Sequence, residues 1–304
     1  MAEITLSYVV VTKNRLPFLK ILFAHLLPVL NPDEEIVVVD GDSTDGSKEY
    51  LRGLYDESKI HQFISEPDKN QAHGWNKGFL MAGGTIIKKL IDDDVHDLNA
   101  IRKCRDFMLA KPEIDICISN NMESRLVNPG QTGETGRLSY YRQWKAGQSK
   151  TFTFSDVSML IRRSSLSFIG LYDTQFKMLD WEYSLRCSYL NAKIAYYTGF
   201  NSLSVGTPGN VSSTATRELF RKEELIGKTK YEYPGDGSDI STWSRIKIWL
   251  GKTYYHLKNK KTSLLDPGLP AADDLESIYS SYYQMLEDRN KAGDWTFIYD
   301  GDDY

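Results

Sequence analysis

Cysteine is nearly absent. The three present, Cys104, Cys117 and Cys187, form no C-x-x-C pair, and an odd count does not build a disulfide scaffold. Long apolar runs are missing too: none approaches the roughly 20 residues that cross a bilayer. Residues 1–11 lack the basic start and small-residue cleavage site of a secretion signal, so the chain reads as soluble, cytoplasmic and reduced. The sequon at Asn210 then carries no meaning. Positive charge is not in excess. Lys plus Arg is 37 and Asp plus Glu is 41, a net charge of −4, which disfavours nucleic acid as a partner. No G-x-G-x-x-G follows the first apolar run and no G-x-x-x-x-G-K-[ST] occurs, which excludes the glycine-based nucleotide sites. No Cys/His cluster has zinc spacing. The run from Asp40 to Gly46 is not an EF-hand loop, because its fifth position is Thr44 and its twelfth is Leu51.

What is there suffices for a sizeable core: 41% of 304 residues are hydrophobic, enough for one large domain with or without an appendage. Residues 6–11, 36–39, 60–64, 86–91 and 114–119 read as strands, and 17–27, 47–55, 71–82 and 99–109 as helices. This alternation predicts an α/β fold with a mainly parallel sheet flanked by helices. Residues 122–150 show no period and read as a long loop, which in a compact domain is functional or mobile. Further on, 181–190 reads as a helix, 192–197 as a strand and 203–213 as a lid-like loop. A linker at 231–239, with Pro234, Gly235 and Gly237, divides a domain at 1–230 from a helical C-terminal extension at 231–304. Within the extension, 243–261 mixes aromatic and basic residues. It reads either as a helix packed on the domain with a basic outer face or as a peripheral contact with the inner face of a membrane. The acidic, aromatic tail at 294–304 docks in trans or frays.

Acids gather where the strands end. The ends read Thr12-Lys13-Asn14, Asp40-Gly41-Asp42, Ser65-Glu66-Pro67-Asp68 and Asp92-Asp93-Asp94. In an open parallel sheet these ends share the ligand-binding edge. An anionic edge repels phosphate directly, but it holds a divalent cation that then binds a diphosphate. Three adjacent carboxylates at 92–94 repel one another unless a cation offsets them.

These segments, in order and spacing, resemble glycosyltransferase family 2 of the GT-A fold, an inverting group that uses nucleotide sugars. Val9 to Arg15 resembles its opening strand, and Val37 to Ser47 its second strand with the D-x-S-x-D turn. Ser65 to Lys69 and Asn76-Lys77-Gly78 resemble the E-x-D and N-x-G segments, and Asp92-Asp93-Asp94 the D-x-D region. Gly170 to Asp173, followed by Asp180 to Arg186, resembles the G-x-F-D and E-D-x-D-x-x-x-R segments. The matches spread over roughly the first 215 positions.

The resemblance implies an inverting transferase moving a sugar from a nucleotide-diphosphate donor, UDP-linked, to a glycan or lipid-linked acceptor in surface polysaccharide synthesis. It implies nucleotide contacts at Thr12, Asn14, Arg15, Asp40, Asp42, Asp68, Lys69, Asn76, Asp92 and Asp93. Asp42, Ser43 and Asp45 equally suit a turn and a helix cap, and Asn76 suits an exposed helix position. It implies a metal, Mn²⁺ or Mg²⁺, on Asp94 and Asp92, although an ungapped D-x-D-D match would put Ile91 at the first acid. It implies Asp180 as the base that takes the acceptor proton, Glu182 as the alternative, and Trp181 as an acceptor platform or a core residue. Two departures stand out: Leu179 replaces the first acid of the family pair, and 201–206 has no His to complete a metal shell, leaving a Ser, an Asn or water. His96 suits a surface helix start. Same-fold nucleotidyl transfer and a non-catalytic nucleotide-sugar-binding or assembly partner are the competing readings, and homo-oligomerisation stays open.

Overall fold

A computed structural model describes residues 3–208, 217–233, 269–300 and 302–303. The stretch 243–261, the sequon and most of the linker lie outside the described residues. The elements run β1 (Leu6–Thr12), α1 (Leu16–Leu26), β2 (Glu34–Asp40), α2 (Ser47–Asp56), β3 (Gln62–Ser65), α3 (Gln71–Met81), β4 (Ile86–Leu90), β5 (Val95–His96) and α4 (Leu98–Ala110). They continue β6 (Ile116–Arg125), β7 (Asn128–Thr135), α5 (Leu138–Lys145), a 3-10 turn (Asp156–Ser158), β8 (Leu160–Arg162), α6 (Leu166–Ile169), α7 (Leu179–Tyr189) and β9 (Ile194–Gly206). Helices α8 (Arg217–Tyr231) and α9 (Ala272–Lys291) and short strands β10 (Phe297–Tyr299) and β11 (Asp302–Asp303) complete the described chain.

One sheet runs β11-β10-β9-β6-β8-β4-β1-β2-β3, with β5 on β9 and β7 on β6. β1, β2, β3 and β4 are parallel, so their carboxyl ends share one edge. β8 enters antiparallel to both β4 and β6, while β6 and β9 are parallel. The α/β fold is as expected, with most paired residues in parallel ladders, and the antiparallel entry of β8 and the short edge strands make the sheet mixed rather than purely parallel.

Period-two alternation sorts the strand side chains. Tyr8, Val10, Ile36, Val38, Ile86 and Leu90 pack with α1 and α4 on one face. Val9, Val37 and Ile87 pack with α3 and α7 on the other. Helix α3 lies so close to the sheet that a Cβ on Gly78 would overlap Val9 Cγ1.

Three expectations are corrected. Residues 122–150 are not a loop. They hold the end of β6, all of β7 and α5. β7 is exposed on both faces, so it carries no hydrophobic alternation to read. β9 does not stop near Tyr197 but runs to Gly206, held by β6 on one side and β5 on the other, so Leu203–Gly206 is strand rather than lid. In the tail, Phe297 and Ile298 do not fray but pair with Tyr197 and Tyr196 of β9 in the same chain.

Candidate active site

A cleft of about 1090 Å³ opens at the carboxyl edge of the sheet. Lys89, Ile91, Asp93 and Asp94 form its floor, and Ser155, Asp156 and Val157 adjoin them. Lys177 to Trp181, at the start of α7, make one wall. Glu123, Ser124 and Arg125 of β6 and Asn128, Gln131, Thr132 and Gly133 of β7 make the opposite one. Ser204, Val205 and Gly206 of β9 close the end.

The three carboxylates at the end of β4 point in different directions. Asp92 accepts from the Thr12 hydroxyl at 2.6 Å and lies 3.6 Å from the Arg15 guanidinium. Burial, then repulsion from Asp93, pushes Asp92 up to about 7, against the pull of Arg15. Asp93 takes hydrogen bonds from Arg15 and from Thr207 Oγ1. Asp94 accepts from the Val205 amide at 2.8 Å, and burial beside Asp93 raises its carboxyl well above the usual range.

Asp180 sits in the first turn of α7, half-buried at the cleft wall. Burial, then the neighbouring Asp156 carboxylate, raises it to about 6; Lys89 and the Trp181 amide pull the other way. Asp156 is 3% exposed, pairs with Lys89 Nζ and accepts from the Tyr172 hydroxyl at 2.7 Å. The Lys89 ammonium also lies 4.5 Å from the Trp75 ring centroid.

Of the residues singled out in the sequence, Asp93, Asp94, Asp180 and Trp181 line this cleft together. Others gather beside it at the ends of β1 to β3. Asn14 and Ser43 tie that edge: the Asn14 amide donates to Ser43 Oγ, and Asn14 Oδ1 accepts from the Thr44 amide, both at 2.8 Å. Asp68 pairs with Lys77 at 2.8 Å and His73 at 3.1 Å, while Lys69 is exposed.

Several expected contacts are already spent inside the protein. Asp40 is wholly buried and accepts from Ser43 and from Ser65 Oγ at 2.6 Å, so it organises the turn. Asp42 pairs with Lys48 at 3.0 Å on the surface. Asn76 uses both ends of its amide on the Tyr172 backbone, at 2.8 and 2.9 Å, pinning the segment that precedes α7. Glu182 is 1% exposed, is engaged by Arg186 at 2.7 Å and by the Tyr231 hydroxyl, and is not among the residues that line the cleft. His96 is not on the surface: it is buried on β5, bonded at 3.2 Å to the Ile91 carbonyl.

The sequence matches the family profile "Glycosyl transferase family 2" over residues 7–170, more than half of the chain. The chain belongs to glycosyltransferase family 2. No curated protein sequence matches it. Among solved structures it is similar to S. aureus TarS 1–349 in complex with UDP-GlcNAc, at 14% identity and TM-score 0.56, covering 95% of this chain and 92% of that one. The same TarS fragment with UDP matches at 15% identity and TM-score 0.56, over 98% and 95%. A mannosyltransferase from Pyrobaculum calidifontis, in complex with GDP-Man and Mn²⁺, matches at 15% identity and TM-score 0.55, over 94% and 85%. At these identities the likeness is one of fold.

In this family 2 glycosyltransferase, no group of three or more His, Cys, Asp or Glu is placed to hold a metal among the described residues. Asp94 faces the cleft with one oxygen on Val205, in a triplet whose close counter-charge is Arg15. That donor set fits a hard cation held on an open site and completed by water and phosphate oxygens, not a closed protein cage. Asp92, expected as a second ligand, is instead turned to Thr12 and Arg15. The stretch without a His offers Ser204 to the cleft, and Thr207 just beyond it reaches Asp93.

Sequence reading missed Lys89, Asp156, Thr207 and the β6–β7 wall. One signal was available. Lys88 and Lys89 are adjacent in a strand that is otherwise apolar and buried throughout, and buried ammonium groups need partners. Lys88 donates to the Val157 carbonyl, and burial lowers its ammonium to about 7.

Proposed function

We propose that this enzyme transfers a sugar, with inversion, from a nucleotide-diphosphate donor to a hydroxyl of a glycan or glycolipid acceptor. The donor is UDP-linked and the product feeds surface polysaccharide synthesis in the cytoplasm. The observation that carries the reading is that Asp93 and Asp94, at the end of β4, and Asp180, at the start of α7, face one cleft. Family membership and the UDP-GlcNAc and GDP-Man complexes of the similar structures support it.

In this scheme the nucleoside lies along the edge formed by Thr12, Asn14, Arg15 and Asp68, with Lys69 at its rim. Asp180 accepts the proton of the acceptor hydroxyl as its oxygen bonds to the anomeric carbon. The bond from that carbon to the diphosphate breaks, and the electron pair leaves with the diphosphate. A divalent ion, Mn²⁺ or Mg²⁺ on Asp94, would supply charge to the leaving diphosphate. Trp181 offers an aromatic face at the acceptor side, though its ring also packs against Tyr233 at 5.7 Å.

The test is incubation of the purified protein with a panel of UDP- and GDP-sugars and Mn²⁺, measuring release of nucleoside diphosphate with and without EDTA. Turnover of one donor that EDTA abolishes is expected. A donor that binds by thermal shift yet is never hydrolysed or transferred, with any acceptor tried, would mark a non-catalytic binding partner instead.

A further inference from the structure

The 3-10 turn Asp156–Ser158 is held at three successive residues. Lys89 pairs with the Asp156 carboxylate, Lys88 donates to the Val157 carbonyl, and Asn201 Nδ2 donates to the Ser158 carbonyl at 2.8 Å. The two lysines come from one strand and the asparagine from another, so the turn is fixed to the sheet. The clamp buries a carboxylate and an ammonium, whose side chains are 5% and 3% exposed. Replacing such a pair by apolar groups is often neutral or stabilising, so its burial calls for a reason other than stability. Both residues line the cleft together with Asp180.

Resting on the base role given to Asp180 above, we propose that Lys89 and Asp156 are a positioning pair that sets the charge state of Asp180 during transfer. Asp156 opposes ionisation of Asp180 and makes it a stronger base once ionised. Lys89 limits that opposition, so that Asp180 is a carboxylate at neutral pH. Tyr172, donating to Asp156, fixes the second acid in place. The other charged groups near Asp180 do not duplicate this. Glu182 is neutralised by Arg186, and Glu223 accepts from the Lys177 and Met178 amides at 2.8 Å. Asp93 and Asp94 belong to the acid turn, and Glu123 and Arg125 stand on the hairpin wall. Lys177 lies beside Asp180 on the same wall, and Tyr183 is buried one helical turn on, donating to the Gly170 carbonyl.

The test is the pH profile of transfer at saturating donor and Mn²⁺. Asp156→Asn removes the opposing charge, and the acid limb should move down. Lys89→Met leaves Asp156 uncompensated, and the limb should move up by about one unit, a roughly tenfold loss below it. Lys89→Arg keeps the charge and should restore the profile. The double variant Lys89→Met with Asp156→Asn removes both charges without leaving either unpaired, and it should return the limb close to wild type. It decides the matter should the single Lys89 variant fail to fold. A limb that stays put in Asp156→Asn, or moves the same way in all variants, overturns the proposal. Asp180→Asn with normal turnover would overturn the base assignment itself, a separate outcome.

Discussion

The Tyr279 hydroxyl donates to the main-chain carbonyl of Asp93 at 2.6 Å, joining a late helix to the acid turn at the end of β4. Tyr279 is 1% exposed on α9, and its neighbour Tyr282 accepts from Ser124 Oγ at 3.0 Å on the hairpin strand. One helix face thus braces both the floor and a wall of the cleft. Residues more than 180 positions downstream hold the acids in place.

Tyr279→Phe should therefore act on the site as well as on stability. The buried carbonyl loses its donor, which costs about 1–2 kcal/mol and lowers the Tm. The acid turn loosens, so the Mn²⁺ concentration needed for half-maximal activity should rise while kcat at saturation changes little. A thermal melt and a metal titration read the two effects separately. An unchanged titration would mean that α9 only fills space.

Asp180→Asn should abolish transfer and leave donor binding nearly intact. It should also stabilise the protein at neutral pH. The carboxyl is raised from the ordinary 3.8 to about 6, so the folded state binds the proton more tightly than the unfolded chain does. Stability from this group is thus highest at low pH and is lost as pH rises from about 4 through 6. The full difference is worth at most about 3 kcal/mol, and less where the cleft admits water. The variant should accordingly melt higher than wild type at pH 7.5 and alike at pH 3. Activity in the wild type should fall as pH drops through about 6, where the base takes its proton.

Glu182→Gln should give the opposite pattern. Its carboxylate is fixed by Arg186 at 2.7 Å and by the Tyr231 hydroxyl, joining α7 to α8. Losing it leaves a largely buried guanidinium short of its partner, and breaking such a pair costs on the order of 3 kcal/mol. The Tm should fall clearly, while kcat of the folded fraction remains within a few-fold of wild type. A kcat loss of several orders at unchanged Tm would restore Glu182 as a candidate base.

The edge of the sheet was legible in the sequence because apolar strands running into polar clusters mark carboxyl ends. Asp93 and Asp94 stand at such an end, whereas Asp180, at the start of α7, was legible only through the family resemblance; all three share the cleft. What a strand-end position does not reveal is whether its polar atoms already have partners. Asp40 and Asn76 stand where the pattern puts them, yet their bonds run to Ser43, Ser65 and Tyr172. The Lys89–Asp156 pair joins residues 67 apart, a contact that only the packed sheet creates. The β7 wall escaped for the opposite reason. A strand exposed on both faces has no pattern, and its register comes from the partner strand.

Asp94→Asn isolates the metal. In the wild type Asp94 is buried with its proton affinity raised, and a bound divalent cation would hold it as the carboxylate. Wild type with UDP should melt higher when Mn²⁺ is added, since a ligand that binds only the folded state stabilises by mass action. The substitution keeps the size of the side chain and one oxygen but removes the charge. The variant should fold, because the retained side-chain oxygen can still accept from the Val205 amide, and it should lose most of the Mn²⁺-dependent increment in Tm. Asp92→Asn is the control. Its carboxylate is turned to Thr12 and Arg15 and is not among the residues lining the cleft, so the variant should keep the Mn²⁺ increment. Equal loss of the increment in both variants would show that the triplet binds the ion jointly.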